Sequence, residues 1–172
     1  MKVLSLPGST RQEEHVLEGS GHYVLSPLGS SAPAGHRRQV VYVPVYSIIY
    51  RGFDRQLTEL AATLSIRNVS EKAPIVVHAV KYYDPHGKLV RAYITEPGVL
   101  GPLATADFVI QRRDTTGGPG ANFLVEWSSA EDVDDPVIEA VMIGQHGNAG
   151  ISSTSLGRPL PKASAALQDA KQ

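Results

Sequence analysis

At 172 residues the chain has the length of one domain, enough to bury a core without staples. Sixteen basic and seventeen acidic side chains give a net charge of −1, so neither a nucleic-acid footprint nor a polybasic lipid patch is present. The absence of cysteine removes disulfides, thiolate nucleophiles and cysteine zinc sites together.

Residues 1–38 are rich in Gly, Ser, Pro and His and keep no sustained period. Met1–Gly8 has one lysine and few apolar residues before Pro7-Gly8, which is not the pattern of a signal peptide. Residues 39–151 hold almost all the β-branched and aromatic residues, and the pattern there predicts strands. The first is Gln39–Tyr50, where Pro44 argues for an edge or a bulge because proline cannot donate to a ladder. Leu57–Val69 follows, with Ala62, Leu64 and Ile66 on one face and Thr63, Ser65 and Arg67 on the other. Ile75–Asp84 and Lys88–Ile94 are joined by Asp84-Pro85-His86-Gly87, a hairpin signal. Leu103–Arg112, Ala121–Ser128 and Val137–Gln145 complete the series. In Ala121–Ser128 the spacing places Phe123, Val125 and Trp127 on one face, as core. Residues 152–172 return to Ser, Gly, Pro and Ala, with Pro159 and Pro161 favouring an extended strap. The expected fold is therefore all-β: an immunoglobulin-like antiparallel two-sheet sandwich of about seven strands over residues 39–151. Irregular extensions are expected at residues 1–38 and 152–172.

Several blocks of the middle zone resemble a bacterial family known as domain of unknown function 3124. They are Val41–Ser47, Leu60–Asn68, Tyr82-Tyr83-Asp84 with Gly87–Val90, Asp114 with Gly117-Gly118, Gly120–Phe123, Val125-Glu126-Trp127 and Glu139–Gly144. The likeness covers roughly residues 39–155. It implies no activity. It does imply a cell-envelope setting, since members of the family often carry a leader or a lipid-anchor signal, which this chain does not show. Periplasm or cell envelope is the expected location, with the cytoplasm as the alternative.

The residues that could carry chemistry are few. The loop Asp114–Asn122, with Gly117, Gly118 and Gly120, could present amides to an anion. It opens a strand and no lysine follows, unlike a phosphate loop, so the simpler reading is a turn in which Asp114 and Asn122 bond to its own amides. The acids Glu131, Asp132, Asp134 and Asp135 lack the pattern of an EF-hand and read as a solvated connection. The six histidines have no metal-motif spacing, and no Gly-x-Ser-x-Gly elbow is present. Asn68-Val69-Ser70 matches a glycosylation acceptor and reads as a turn. No catalytic, cofactor or metal residues are therefore expected.

The tyrosines carry the functional expectation. Tyr42, Tyr46 and Tyr50 fall on a period-two face, and Tyr82 and Tyr93 lie on the hairpin strands. Tyrosine gives contact area at low entropic cost, so these side chains suit a protein-binding patch, unless they pack inward or the N-terminal tail covers them. The expected function is a non-catalytic accessory module. It would dock on protein subunits of a larger assembly, membrane-associated or of the envelope, through its tails and tyrosine-rich strands. The apolar runs are too short to span a bilayer, so membrane proximity would come through a partner. The alternative is a small-molecule or ion-binding envelope protein using the loop 114–122 and nearby acids.

Overall fold

A computed structural model describes residues 25–28, 37–52 and 55–161. Two antiparallel sheets pack face to face in it. Taken in chain order, the strands are β1 (Ser26–Pro27), β2 (Arg37–Val45), β3 (Ile48–Arg51), β4 (Gln56–Arg67), β5 (Ile75–Tyr83) and β6 (Leu89–Ala92). They continue as β7 (Gly98–Leu100), β8 (Thr105–Ile110), β9 (Ala121–Ser129), β10 (Val137–His146), β11 (Ala149–Leu156) and β12 (Arg158–Pro159). One sheet runs β1-β7-β5-β9-β2-β12, with β6 also on β5; the other runs β11-β10-β4-β3, with β8 also on β4.

Period-two alternation builds the core. Val41, Val43 and Val45 on β2, Leu60, Ala62, Leu64 and Ile66 on β4, and Phe123, Val125 and Trp127 on β9 all point inward and are buried. On β5 the inward set is Ile75 and Val77, then Val80 and Tyr82. The step of three matches a register shift between Val77 and Ala79, a bulge that re-phases the strand and leaves His78 half-exposed. His78 Nε2 and Ser128 Oγ share a 2.8 Å hydrogen bond there.

Four expectations are corrected. Gln39–Tyr50 is not one strand: it breaks at Ser47, where the chain crosses from one sheet to the other. Ser47 is fully buried, its N–H and hydroxyl both donate to Gly118 O, and its own carbonyl accepts from Leu60 N–H. Those bonds hold the corner. Second, Gly98–Leu100, outside the expected series of strands, forms β7 and pairs with β5 and β1. Third, residues 152–160 are no irregular extension. Ser152–Leu156 belongs to β11, and the chain crosses at Gly157 to let β12 pair with β2. A Cβ at Gly157 would stand 2.6 Å from Val41 Cγ1 and 2.8 Å from Ile138 O, so glycine permits the close crossing. Fourth, Leu25–Leu28 is not all loop, because Leu25 packs on the core and Ser26–Pro27 pairs with β7.

Pro44 fits its strand for the expected reason. Leu160 N–H donates to Val40 O at 2.8 Å, so Val40, Tyr42 and Pro44 turn their backbone groups away from β9, toward β12. Among the described residues the ladder with β12 covers only Val41 and Tyr42, so the missing N–H of Pro44 lies where no described strand pairs. No helix among the described residues is long and apolar enough to cross a membrane.

Candidate functional site

The two outer faces of the sandwich differ in chemistry. On the seven-stranded sheet, Arg38 is paired with Glu126, and Lys81 stands exposed. Tyr42 lies half-buried on that same face. The five-stranded sheet is more apolar outside. Tyr50 on β3 and Leu57 on β4 are direct cross-strand partners and are 62% and 59% exposed. Along β10, Val137, Val141 and Ile143 alternate outward from buried Ile138, Ala140 and Met142, and Ile143 is 56% exposed beside Ala61.

A notch of about 370 Å³ opens beside Leu57. Ile48, Leu57, Thr58, Glu59, Arg112, Thr115, Gln145 and His146 line it. Ile48 and Leu57 give it an apolar wall, and Glu59, Arg112 and His146 give it a polar rim. Thr58 is buried, and its Oγ1 has no hydrogen-bond partner among the described residues. Thr58 shares the inward phase of β4 with Leu60 and Ala62, and its unpaired buried hydroxyl costs free energy there.

The predicted tyrosines do not form one patch. The corner at Ser47 puts Tyr42 and Tyr50 on different sheets, with Tyr46 exposed at the bend between them and its N–H against Met142 Sδ at 3.3 Å. Tyr82 and Tyr93 are buried, and they stack with Phe123 at 5.1 and 5.7 Å between ring centroids. Both are core residues and cannot serve a docking face. The bulge in β5 and the inward turn after β6 place them there. Of the five, Tyr50 alone is exposed on the outer face of the five-stranded sheet.

The Gly-rich loop is built as a turn. Asp114 Oδ1 accepts from the amide and hydroxyl of Thr116, and Oδ2 pairs with Arg91 at 3.2 Å. Gly118 has φ +62°, its N–H donates to Thr115 O, and its carbonyl holds Ser47. Gly118 and Gly120 lie against Pro85 of the neighbouring hairpin, whose Asp84 Oδ1 accepts from the His86 and Lys88 amides at 2.9 Å each. Gly117 sits on Tyr82, and a Cβ there would lie 1.5 Å from Tyr82 Oη. Asn122 is the first outward residue of β9, opposite Pro44 and Tyr83. The loop's glycines and Asp114 are thus spent on packing and self-bonding.

Burial raises Tyr82 to about 12; Ser47 as a hydrogen-bonding neighbour pulls it back in part, Asp114 and Tyr93 push it up, and Arg91 pulls it down. Ser47 Oγ is directed at Gly118 O, and Tyr82 Oη has no partner of hydrogen-bonding geometry among the described residues. The folded state therefore favours the protonated phenol. Stability from this group is fully present below the unfolded value near 10 and is lost as pH rises through about 12. Tyr82→Phe is expected to flatten the fall in denaturation midpoint across that window, and an unchanged alkaline profile in the variant would count against it.

The acids do not converge. Asp135 pairs with Arg37 at 2.7 Å, Glu126 with Arg38 and Asp114 with Arg91. Among the described residues, no three His, Cys, Asp or Glu side chains group as a metal-binding set. Asn68 is buried, with its amide donating to three carbonyls, so the side chain of the Asn68-Val69-Ser70 sequence is committed inside the fold.

Sequence reasoning missed the notch. The signal was present: running the period of Ala62, Leu64 and Ile66 back along β4 sends Leu57, Glu59 and Ala61 outward. Which strand lies beside them, and hence that Ile48 and Gln145 share the notch, depends on the sheet order.

Fold and surface together define an antiparallel two-sheet β-sandwich whose five-stranded sheet carries a cluster of exposed apolar side chains on its outer face, beside the Arg67–Glu139 ion pair. Over residues 38–160 the chain matches the family described as "Protein of unknown function (DUF3124)", and it belongs to that family. No curated protein matches it. A solved structure described as "Crystal Structure of Thermotoga maritima 1070" is similar at 10% identity and a TM-score of 0.41, covering 73% of this chain and 95% of that one.

Proposed function

We propose that this protein is a non-catalytic accessory module that docks on a protein subunit of a larger assembly. The docking face would be the outer face of the five-stranded sheet. The observation that carries the reading is the cross-strand pair Tyr50 and Leu57, both well exposed, with the notch beside Leu57. An aromatic anchor, an aliphatic neighbour and a polar rim are the makings of an interface hot spot. Exposed apolar groups clustered on one sheet face mark interaction sites more often than single ones do.

A cell-envelope setting, with membrane proximity only through the partner, belongs to the same proposal. So does the immunoglobulin-like class. Its support is the pairing β4–β8 in one sheet and β5–β9 in the other, with β4→β5 and β8→β9 crossing between sheets. That is the B–E and C–F arrangement of the class. The flanking strands differ from it, since β10 lies beside β4 and β2 beside β9. Residues 1–24 and 162–172, also expected to contribute contacts, lie outside the described residues.

The test is affinity recovery of the native assembly with tagged wild-type protein and with a Tyr50→Glu/Leu57→Glu double variant. Both positions are exposed, so the variant should keep its fold and melting temperature. Recovery of the partner subunits is expected to fall at least tenfold, the equivalent of roughly 1.4 kcal/mol or more. Full recovery with the double variant would remove this face from the interface.

A further inference from the structure

We infer that β11 is a dimerisation strand, which pairs edge to edge with β11 of a second copy of this chain. This goes beyond the docking proposal and does not depend on it.

β11 closes one side of the five-stranded sheet and, among the described residues, is laddered on β10 alone. The direction of its free groups follows from one bond. Gly157 N–H donates to Ile138 O at 2.8 Å, so residues of the same parity, Ile151, Ser153 and Ser155, turn their backbone groups to β10. Gly150, Ser152, Thr154 and Leu156 then turn theirs to the open edge. Such a row of unpaired N–H and C=O groups accepts an added strand.

Natural sheet edges are usually blunted by charge, proline, a bulge or short length. Among the described residues, the other sheet edges follow that rule. β1 and β12 are two residues long and hold Pro27 and Pro159; β3 ends on Arg51; β6 is four residues long and holds Arg91; β8 holds Asp107. β11 is the exception. Ala149–Leu156 is eight residues long, carries no charge and no proline, and runs against β10 without a register shift.

The strand is also self-complementary. Antiparallel pairing about a twofold axis at Ser153 sets Gly150 opposite Leu156 of the second copy and Ser152 opposite its Thr154, and brings outward-turned backbone groups together throughout. No like charges meet. The bulkiest side chain, Leu156, which is 71% exposed, falls opposite the residue without one, and the space where a Gly150 Cβ would stand is empty. On the outer face, Thr154 and Ser152 continue the cross-strand rows of Val141 and Ile143. Pairing would therefore join the outer faces of the two five-stranded sheets into one. Because a twofold pair uses the same surface on each copy, it closes at two chains and leaves no edge here for a third.

The experiment is light scattering coupled to size exclusion on the full chain across a dilution series, for wild type, Thr154→Pro and Ser153→Lys. Thr154→Pro removes an N–H that faces the open edge and not β10. Ser153→Lys, at an exposed position, sets two like charges across the axis. Wild type is expected at twice the 18.4 kDa chain mass at the higher concentrations, and both variants at 18.4 kDa with unchanged circular dichroism. A wild type that stays monomeric throughout would overturn the inference and leave the edge to another part of this chain or to a strand of another protein. Variants that dimerise like wild type would place the interface elsewhere and overturn it equally.

Discussion

Trp127→Ala is expected to lower unfolding free energy by about 3–5 kcal/mol, the usual cost of emptying a buried aromatic site. Trp127 is fully buried on β9, between Val77 of β5 and Gln39 of β2 in the central register of the seven-stranded sheet. The Arg37 guanidinium lies 5.9 Å from its ring, while Arg37 also reaches Asp135 and Val133 O. The indole therefore fills the core and anchors the strap from β2 to the loop before β10. Its Nε1 has no hydrogen-bond partner among the described residues, so Trp127→Phe loses volume but no hydrogen bond and should retain most of the stability. Chemical denaturation measures both, and a midpoint unmoved by alanine would contradict the core role.

Asn68→Leu is expected to cost about 3 kcal/mol even though it keeps the side chain's size, because it orphans several buried groups at once. Asn68 Nδ2 donates to Ala73 O at 2.8 Å, Gly101 O at 2.9 Å and Leu100 O at 3.2 Å, and Oδ1 accepts from Ser70 N–H at 3.0 Å. One side chain thus ties the end of β4 to the turn before β5 and to the end of β7. Ser70 Oγ extends the tie to the Ala73 amide at 3.0 Å. Ser70→Ala, which removes the two outer bonds from the Lys72 and Ala73 amides, should cost less, because the Lys72 end is exposed. A loss below about 1 kcal/mol for Asn68→Leu would mean that water replaces the amide.

Strands that bury one face were legible because burial writes a period of two into the residues. The inward sets of β4, β9 and β10 follow it without a break, and Trp127 follows from the same spacing. The hairpin was legible through its turn chemistry, since Asp84 holds two amides and Gly87 takes φ +77°. What the residues conceal is anything decided by a partner strand. β11 reads as tail because Ser-Ser-Thr-Ser buries almost nothing, and only the ladder with β10 makes it a strand. The tyrosine face was misread for a related reason. Period two carries Tyr42, Tyr46 and Tyr50 along one line only if the strand continues, and the bonds that stop it at Ser47 come from Gly118 and Leu60, distant in sequence. Tyr82 faces the core because the bulge at His78 reverses the phase of β5. The exposed half of the site, Tyr50 and Leu57, was partly within reach of the pattern; their pairing across β3 and β4 was not.

The claim that the five-stranded sheet carries the docking face is tested most directly by site-specific photo-crosslinking in the native assembly. The crosslinker would stand at position 50 or 143 on that face, or at Lys81 on the seven-stranded sheet, all of them exposed. Positions 50 and 143 are expected to label the same partner subunit, and position 81 is not. Labelling of that subunit from position 81, with none from 50 or 143, would contradict it.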